Sequence, residues 1–599
     1  MNFDNNPNFE LPGKIARQYA HFDLTTRKFR GTASYDGQYG GVPLMYDAEH
    51  ERLIVDGTDT HTLVFGSSGS KKTRAVVLPT IHMLMHAEES MIIHDAKGEL
   101  YKRTATFLEK AGYRVIAVNF RQPELGHAWN PLMIPYHYYK EGDLDKAAEF
   151  ANDVASTITL GNIADSKDPF WDHSAHDCAF GLMLLLFRYC RENDLPDSAV
   201  NMANLATLRR ALFENGVNTK TSWLWRWGSK DELIAASLSG TVMTAMETMQ
   251  GILSVLDQKL RTFTINSALM DMLANSSFEI EPIGREKTAV FLITPDEKTS
   301  YHSLVAIFVS QSYQHLIYSA ERAGGRVAKR INYILDEFSS LPAIGSDFPS
   351  MITAARSRNI RFLIVAQSKN QLVRRYQEEA STIMANCTNW FIMFTRELEL
   401  LKEVSELCGT KRNGTPNISV FDLQHLSKER NQVLLLAGRM KPAVVNLADI
   451  RRLDSDRICF LEYATPIRAP RYKLDFDRVP PAIMEQLIPR TSLEAHQTII
   501  SKQHELFRTS SWMSEEKDDM RDEKEEKSES RFNFDDLITK IDKKIAELEK
   551  EETAEAQMQK AEGELEAVVA EIEKRRNELV NTDDIVKLSS VDGGACYGK

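Results

Sequence analysis

Eight short runs rich in β-branched and aromatic residues recur along this chain: Thr62–Phe65, Met91–Ile93, Arg114–Val118, Thr288–Ile293, Ile331–Leu335, Arg361–Ala366, Trp390–Phe394 and Gln432–Leu436. Amphipathic periodicity fills the early gaps between them, over Arg74–Met85 and Glu99–Ala111. Parallel neighbours need a crossover, and strands buried on both faces read as unbroken apolar runs, so this alternation points to a parallel sheet covered by helices. One long gap interrupts it. From about Asp143 to Asn275 the pattern is helical throughout (Lys146–Thr159, Trp171–Arg191, Met202–Asn215, Leu233–Leu256 and Leu269–Leu273). The expected fold class is α/β, with an all-α domain inserted into the sheet domain. In residue terms this gives an N-terminal extension over 1–50; residues 1–60 are polar and turn-rich apart from a strand at Leu53–Val55. The sheet domain follows in two parts, 51–142 and 281–480, around an insertion at 143–280; a linker over 481–534 leads to an acidic helical tail over 535–599.

Charge narrows the possible roles. Apolar residues make up 43% of the 599 and charged ones 26%, enough for ordinary cores. The net charge is −12, but Met513–Lys599 alone holds 26 acidic and 15 basic residues, leaving 59 and 58 for the rest. The body is therefore near neutral, which excludes a generally basic nucleic-acid coat. Residues 513–531 are almost wholly charged and read as a solvated linker. Beyond them Leu537, Ile541, Ile545 and Leu548, then Leu565, Val568, Ile572 and Leu579, suit either a short coiled coil or a single exposed helix. Six cysteines (Cys178, Cys190, Cys387, Cys408, Cys459 and Cys596) form no CxxC pair and are expected to be reduced thiols of a cytosolic protein. The start of the chain has no signal-peptide pattern. The apolar run Gly181–Phe187 is far short of the roughly 18 residues that span a bilayer, so a soluble chain is expected.

The strand-like His61–Phe65 runs into Gly66-Ser67-Ser68-Gly69-Ser70-Lys71-Lys72-Thr73 and then a helix. The phosphate loop G-x-x-x-x-G-K-[ST] has that strand–loop–helix setting, because its backbone N–H groups and helix N-terminus must face the phosphates. Gly66, Lys72 and Thr73 match; Lys71 stands where the pattern has glycine. Taken alone, the segment reads equally as a Gly/Ser surface loop. A second element changes this: Ile331–Leu335 ends in Asp336-Glu337. Asp336, with Thr73, would hold Mg²⁺, and Glu337 would orient the attacking water. A third is Gln367, at the end of the Arg361–Ala366 run, where ligands of open α/β sheets sit and a γ-phosphate could be sensed. The cofactors expected are ATP and Mg²⁺.

Several stretches stand in an order that resembles the type IV secretion coupling proteins of conjugative DNA transfer. They are the loop followed by Val77-Leu78-Pro79, Ile92-Ile93-His94-Asp95-Ala96-Lys97-Gly98-Glu99-Leu100, and Trp129-Asn130-Pro131-Leu132. Ile334-Leu335-Asp336-Glu337-Phe338, Ala355-Arg356-Ser357-Arg358-Asn359-Ile360-Arg361 and Ala366-Gln367-Ser368 complete them. The resemblance implies a RecA-like motor, an insertion facing the transfer substrate, and a homo-oligomeric ring, usually a hexamer, powered by ATP. It implies relaxase-bound single-stranded DNA as cargo, and as partners the ATPases of a secretion channel or a membrane adaptor. The cytoplasmic protein would be recruited to the inner face of the membrane. It also places on Arg356, with Arg358 second, the arginine that reaches a neighbour's γ-phosphate. The chain departs from the family in having no membrane-spanning helices at its start, and at Lys71.

Other features have plainer readings. His82 and His86 share a helix face at i, i+4 but have no third ligand nearby, and read as packed histidines. The cluster Trp223-Leu224-Trp225-Arg226-Trp227 reads as helix packing, with base stacking as its alternative. Against the motor stands a docking receptor that selects cargo without turning over ATP, a reading that Lys71 favours.

Overall fold

The computed structural model describes residues 8–31, 40–213, 219–322, 324–345, 347–453, 461–463 and 468–487. Cys459, Cys596, the charged linker and the tail fall outside these.

The first strands do not join the expected sheet. β1 (Ala20–Asp23), β2 (Lys28–Arg30), β3 (Val42–Asp47) and β4 (Arg52–Asp56) form a small antiparallel sheet in the order β2-β1-β4-β3. The Leu53–Val55 run is thus part of this sheet. The region reads as turns because β1 and β2 are only four and three residues long and half-exposed; strands that short carry almost no periodic signal.

The main sheet has nine strands in the order β13-β12-β11-β5-β10-β9-β6-β8-β7. Its members are β5 (His61–Phe65), β6 (Ser90–Asp95), β7 (Arg114–Asn119), β8 (Thr288–Ile293), β9 (Ile331–Leu335), β10 (Ile360–Ala366), β11 (Cys387–Ile392), β12 (Gln432–Ala437) and β13 (Ala443–Asn446). From β11 to β7 all neighbours pair in parallel, while β12 and β13 add an antiparallel edge. β5, β6, β8, β9 and β10 are buried along their whole length. That is why each reads as an apolar run: helices cover both faces, and each large side chain so buried contributes about 1.5–3 kcal/mol.

β7 and β8 are neighbours in the sheet, yet the whole insertion lies between them in sequence. Among its described residues there is no strand. Its centre is the long helix Pro169–Glu192, started by Asp168, whose carboxylate accepts from Phe170 N, and by Pro169, which has no N–H to leave orphaned. At Gly181 this helix meets Leu238 so closely that a Cβ would lie 2.6 Å from Leu238 Cγ. The helix expected over Leu233–Leu256 is two helices, Glu232–Val242 and Met246–Thr264. Gly240 lies in the last turn of the first helix, and no proline marks the break. Further along, the second helix is anchored by Lys259, which reaches Asp172 and Thr159 O, and by Asp257, which bonds Arg209.

The tryptophan cluster forms the short helix Trp223–Gly228, with Leu224, Trp225 and Trp227 buried. Arg188 lies 4.5 Å over the Trp227 ring and Trp227 Nε1 donates to Gln486, so these rings are packing groups and the stacking alternative fails. His82 is buried against Phe107 and His86 packs on Phe22. Among the described residues no helix is long and apolar enough to cross a membrane.

Candidate functional site

Register brings the motifs to one edge. β10 lies between β5 and β9, with Ala366 opposite Phe65 and Ile364 opposite Leu335. The residues that follow these strands, Gly66, Asp336 and Gln367, therefore leave the sheet side by side at its carboxyl end, where open α/β sheets bind ligands.

The loop after β5 is shaped by contact and by conformation. A Cβ on Gly66 would meet Ser70 Oγ at 2.6 Å and Met393 Cβ at 3.0 Å, so only glycine lets the loop fold back here. Gly66 N and Ser67 N donate to Ala366 O and Phe394 O, pinning the loop's start to the two flanking strands. Gly69 and Lys71 both take left-handed backbone, φ 76° and 70°. For lysine that conformation costs roughly 1–2 kcal/mol. The Lys71 ammonium turns away from the loop and donates to Lys428 O at 2.9 Å and Asn431 Oδ1 at 3.0 Å, tying the loop to the turn before β12.

Lys72 is buried, and its ammonium donates to Gly66 O and Ser67 O. Burial pulls its pKa down, against the opposing pull of Asp336 and Glu337. Thr73 opens a π-helical turn that runs into the helix Leu78–His86, and its Oγ1 lies 3.4 Å from Asp336 Oδ2, across β10. Asp336 is pushed up to about 6, first by burial and then by the Glu337 charge; Lys72 offsets this only in part. Glu337 is held in left-handed backbone at φ 54°, and Gln367 Nε2 donates to its Oε1 at 3.4 Å. A non-glycine residue in that conformation beside a loop that shares it marks local strain at the site.

Two further residues belong here. His94, at the end of β6, is fully buried and bridges Asp336 O at 2.6 Å and Thr294 Oγ1 at 3.1 Å. Burial pushes its pKa down to about 3, so it is a neutral strut holding the Asp336 backbone. Asp95 next to it accepts from Tyr101 N at the start of the helix Glu99–Lys110, and burial raises its pKa to about 6. Neither was singled out from sequence as a site residue, although a strand ending His94-Asp95 has the same form as one ending Asp336-Glu337.

Arg356 and Arg358 lie elsewhere, on the turn Arg356–Arg358 ahead of β10. The seven residues of β10, at about 3.3 Å each, put more than roughly 20 Å between that turn and Gln367. Arg356 is exposed and cannot serve the loop of its own chain.

These residues fit a magnesium nucleotide. Two half-buried carboxylates, Asp336 and Glu337, face one buried ammonium, and burial together with the Glu337 charge disfavours the Asp336 anion, which a cation would relieve. Among the described residues no group of three or more His, Cys, Asp or Glu could hold a metal alone. A cation here would take the Thr73 hydroxyl, Asp336, water and phosphate oxygens, the ligand set of protein-bound Mg²⁺.

Comparison with known proteins agrees. The family model for type IV secretory system conjugative DNA transfer matches residues 27–505. The type IV secretion system-coupling protein VirD4 of Bartonella quintana (strain Toulouse) is 21% identical over 383 residues, covering 62% of this chain and 55% of the relative. VirD4 of Bartonella henselae is 20% identical over 380 residues with the same coverage, so the chain spans about half the length of the curated relatives it matches. The plasmid coupling protein TrwB, solved in complex with a non-hydrolysable ATP analogue, superposes with a TM-score of 0.51 at 14% identity, over 78% of this chain and 95% of that one. That likeness is one of fold alone, the α/β sheet domain. The chain belongs to the type IV secretory system conjugative DNA transfer family.

Proposed function

We propose that this coupling-family chain is a ring-forming, hexameric ATPase that delivers a relaxase-bound DNA strand to a secretion channel. The observation that carries the reading is the meeting of the buried Lys72 with the half-buried Thr73, Asp336 and Glu337 at one sheet edge, with Thr73 Oγ1 3.4 Å from Asp336 Oδ2. Gly66–Thr73 would wrap the phosphates with backbone N–H groups, and Lys72 would move from its loop carbonyls onto the β/γ-phosphate oxygens. Mg²⁺, held by Thr73 and Asp336, would supply positive charge against those oxygens. Glu337 would orient the attacking water, with Gln367 holding its carboxylate in place. Arg356, remote from its own loop, would act on the nucleotide of a neighbouring subunit. DNA would be gripped through its backbone charge. The acidic tail suits a contact with a channel ATPase or membrane adaptor that recruits the cytoplasmic protein to the inner face of the membrane.

The test is steady-state ATP hydrolysis with and without single-stranded DNA. Wild type should turn over and respond to DNA. Lys72→Ala and Glu337→Gln should not, and Arg356→Ala mixed with Lys72→Ala should recover some turnover. Wild-type rates from both single variants would defeat the reading. The left-handed Lys71 specifically favours a second one, a cargo receptor that binds nucleotide without hydrolysing it; wild type that binds an ATP analogue but shows no turnover would select it.

A further inference from the structure

Beyond Glu337 the site continues into a cavity of about 270 Å³, lined among others by Glu337, Gln367, Gln371, Arg374, Arg375 and Asp165. The two arginines sit in the last turn of the helix Lys369–Tyr376, which Ser368 caps directly after Gln367. Asp165 comes from the all-α insertion, on the turn Ile163–Asp165. Arg374 donates through Nε and Nη2 to Asp165 Oδ1, at 3.0 and 2.7 Å. Arg375 Nη1 donates to Asn162 Oδ1 and Gly161 O and lies 3.7 Å from Asp165 Oδ2. One carboxylate of the insertion thus faces two guanidinium groups of the motor. Arg375 Nε is buried and has no hydrogen-bond partner among the described residues. Gln371 accepts from Ser339 through its side-chain oxygen, which leaves its amide N–H groups as donors.

We infer that this cavity is a holding site for inorganic phosphate, in which the anion competes with Asp165 for Arg374 and Arg375. The inference rests on the reading of Glu337 as the group that positions water, since phosphate would then form at the cavity's mouth. Forked guanidinium donors suit a tetrahedral oxyanion, which presents paired oxygens to each of them. The volume is below the roughly 300–1,000 Å³ of ordinary small-molecule pockets, right for an ion with its waters and too small for a nucleotide. Asp165, Ser340 and Arg375 also line an adjoining cleft of about 850 Å³ shared by the insertion and the motor, which gives the ion a way out. Occupancy would draw the arginines from Asp165, so the product of hydrolysis would loosen the insertion from the motor.

Equilibrium binding of radiolabelled orthophosphate to the full chain tests this. Wild type should bind it, and Lys72→Ala should retain binding, because the cavity does not use the phosphate loop. Arg375→Gln should weaken binding about ten-fold or more, and Asp165→Asn should tighten it several-fold by removing the competing anion. The Asp165→Asn gain cannot come from a variant that merely fails to fold. Loss of binding in Lys72→Ala would put the ion on the phosphate loop and overturn the proposal. So would an Asp165→Asn variant no tighter than wild type, or displacement of phosphate by a short single-stranded oligonucleotide, which would assign the arginines to DNA. Absence of ATP hydrolysis together with this binding pattern would retire the motor reading and still support the phosphate site.

Discussion

The two ends of the main sheet treat buried charge in opposite ways. At the amino ends of β6, β9 and β10, Glu89 is surrounded by donors: Gly40 N at 3.0 Å, Asn332 Nδ2 at 2.9 Å, Arg361, and Arg330 at 3.6 Å. Arg330 reaches on to Asp59 and Gly57 O, and Arg361 to Gly40 O and Thr58 O. Charge and hydrogen bonds there are matched within the chain. At the carboxyl ends of β6 and β9, Asp95 is just as buried and Asp336 half-buried, but their pKa values are raised to about 6. The first end is finished by folding. The second keeps carboxylates whose charged form burial disfavours, and that marks it as the candidate site.

Removing charge should therefore have opposite signs at the two ends. The largest effect is expected from Glu89→Ala, which removes the buried carboxylate shared by Arg361 and Arg330 and should lower stability by about 3–5 kcal/mol in denaturant unfolding. A loss below about 1 kcal/mol would erase the contrast. Next comes Lys72→Ala at the other end, which should weaken an ATP analogue by about 2–3 kcal/mol, roughly 30–150-fold in a fluorescence titration.

A smaller effect concerns pH. The folded pKa of Asp336 lies above its unfolded value near 3.8. The folded state thus binds more protons between those pH values, and its cost is absent below pH 4 and fully present once pH rises through 6. Nucleotide-free protein should gain about 1–2 kcal/mol from this group as pH falls from 7.5 to 5, while Mg²⁺-dependent nucleotide binding weakens over the same window. Flat stability across that range, measured against Asp336→Asn to cancel other carboxylates, would contradict the assignment.

The smallest effect separates the two roles of Lys71. Lys71→Ala loses the bonds to Lys428 and Asn431 but keeps the left-handed strain, whereas Lys71→Gly loses both. Glycine should be the more stable of the two by about 1 kcal/mol, and equal midpoints would show that the loop is not strained.

These contrasts also show how far the sequence could be read. Strands such as Ile331–Leu335 were legible because burial on both faces leaves a continuous apolar run, and Asp336, Glu337 and Gln367 were legible as the polar residues that end such runs. Lys71 was visible as a departure from the loop pattern. Its partners were not: Asn431 is distant in sequence and meets Lys71 only because the turn before β12 folds beside the loop. His94 as a strut for the Asp336 carbonyl, and Glu89 as the anchor of Arg361, likewise depend on strand register, which no local pattern carries. The small N-terminal sheet was missed because its first two strands are too short for period-two alternation to register. The split at Met243–Ala245 was missed because the apolar spacing runs straight across it.

The most direct test of the central claim is a crossover in thermal stability between wild type and Asp336→Asn at pH 7.5, with and without Mg·ATP. Without nucleotide, Asp336→Asn should melt higher, gaining about 1–3 kcal/mol because it removes a buried charge that lacks its cation. With Mg·ATP the order should reverse, since only wild type can complete the site with the metal and be stabilised by binding. If Asp336→Asn is no more stable than wild type when nucleotide-free, or if Mg·ATP raises both melting temperatures equally, the carboxyl end of this sheet is not held in wait for a magnesium nucleotide.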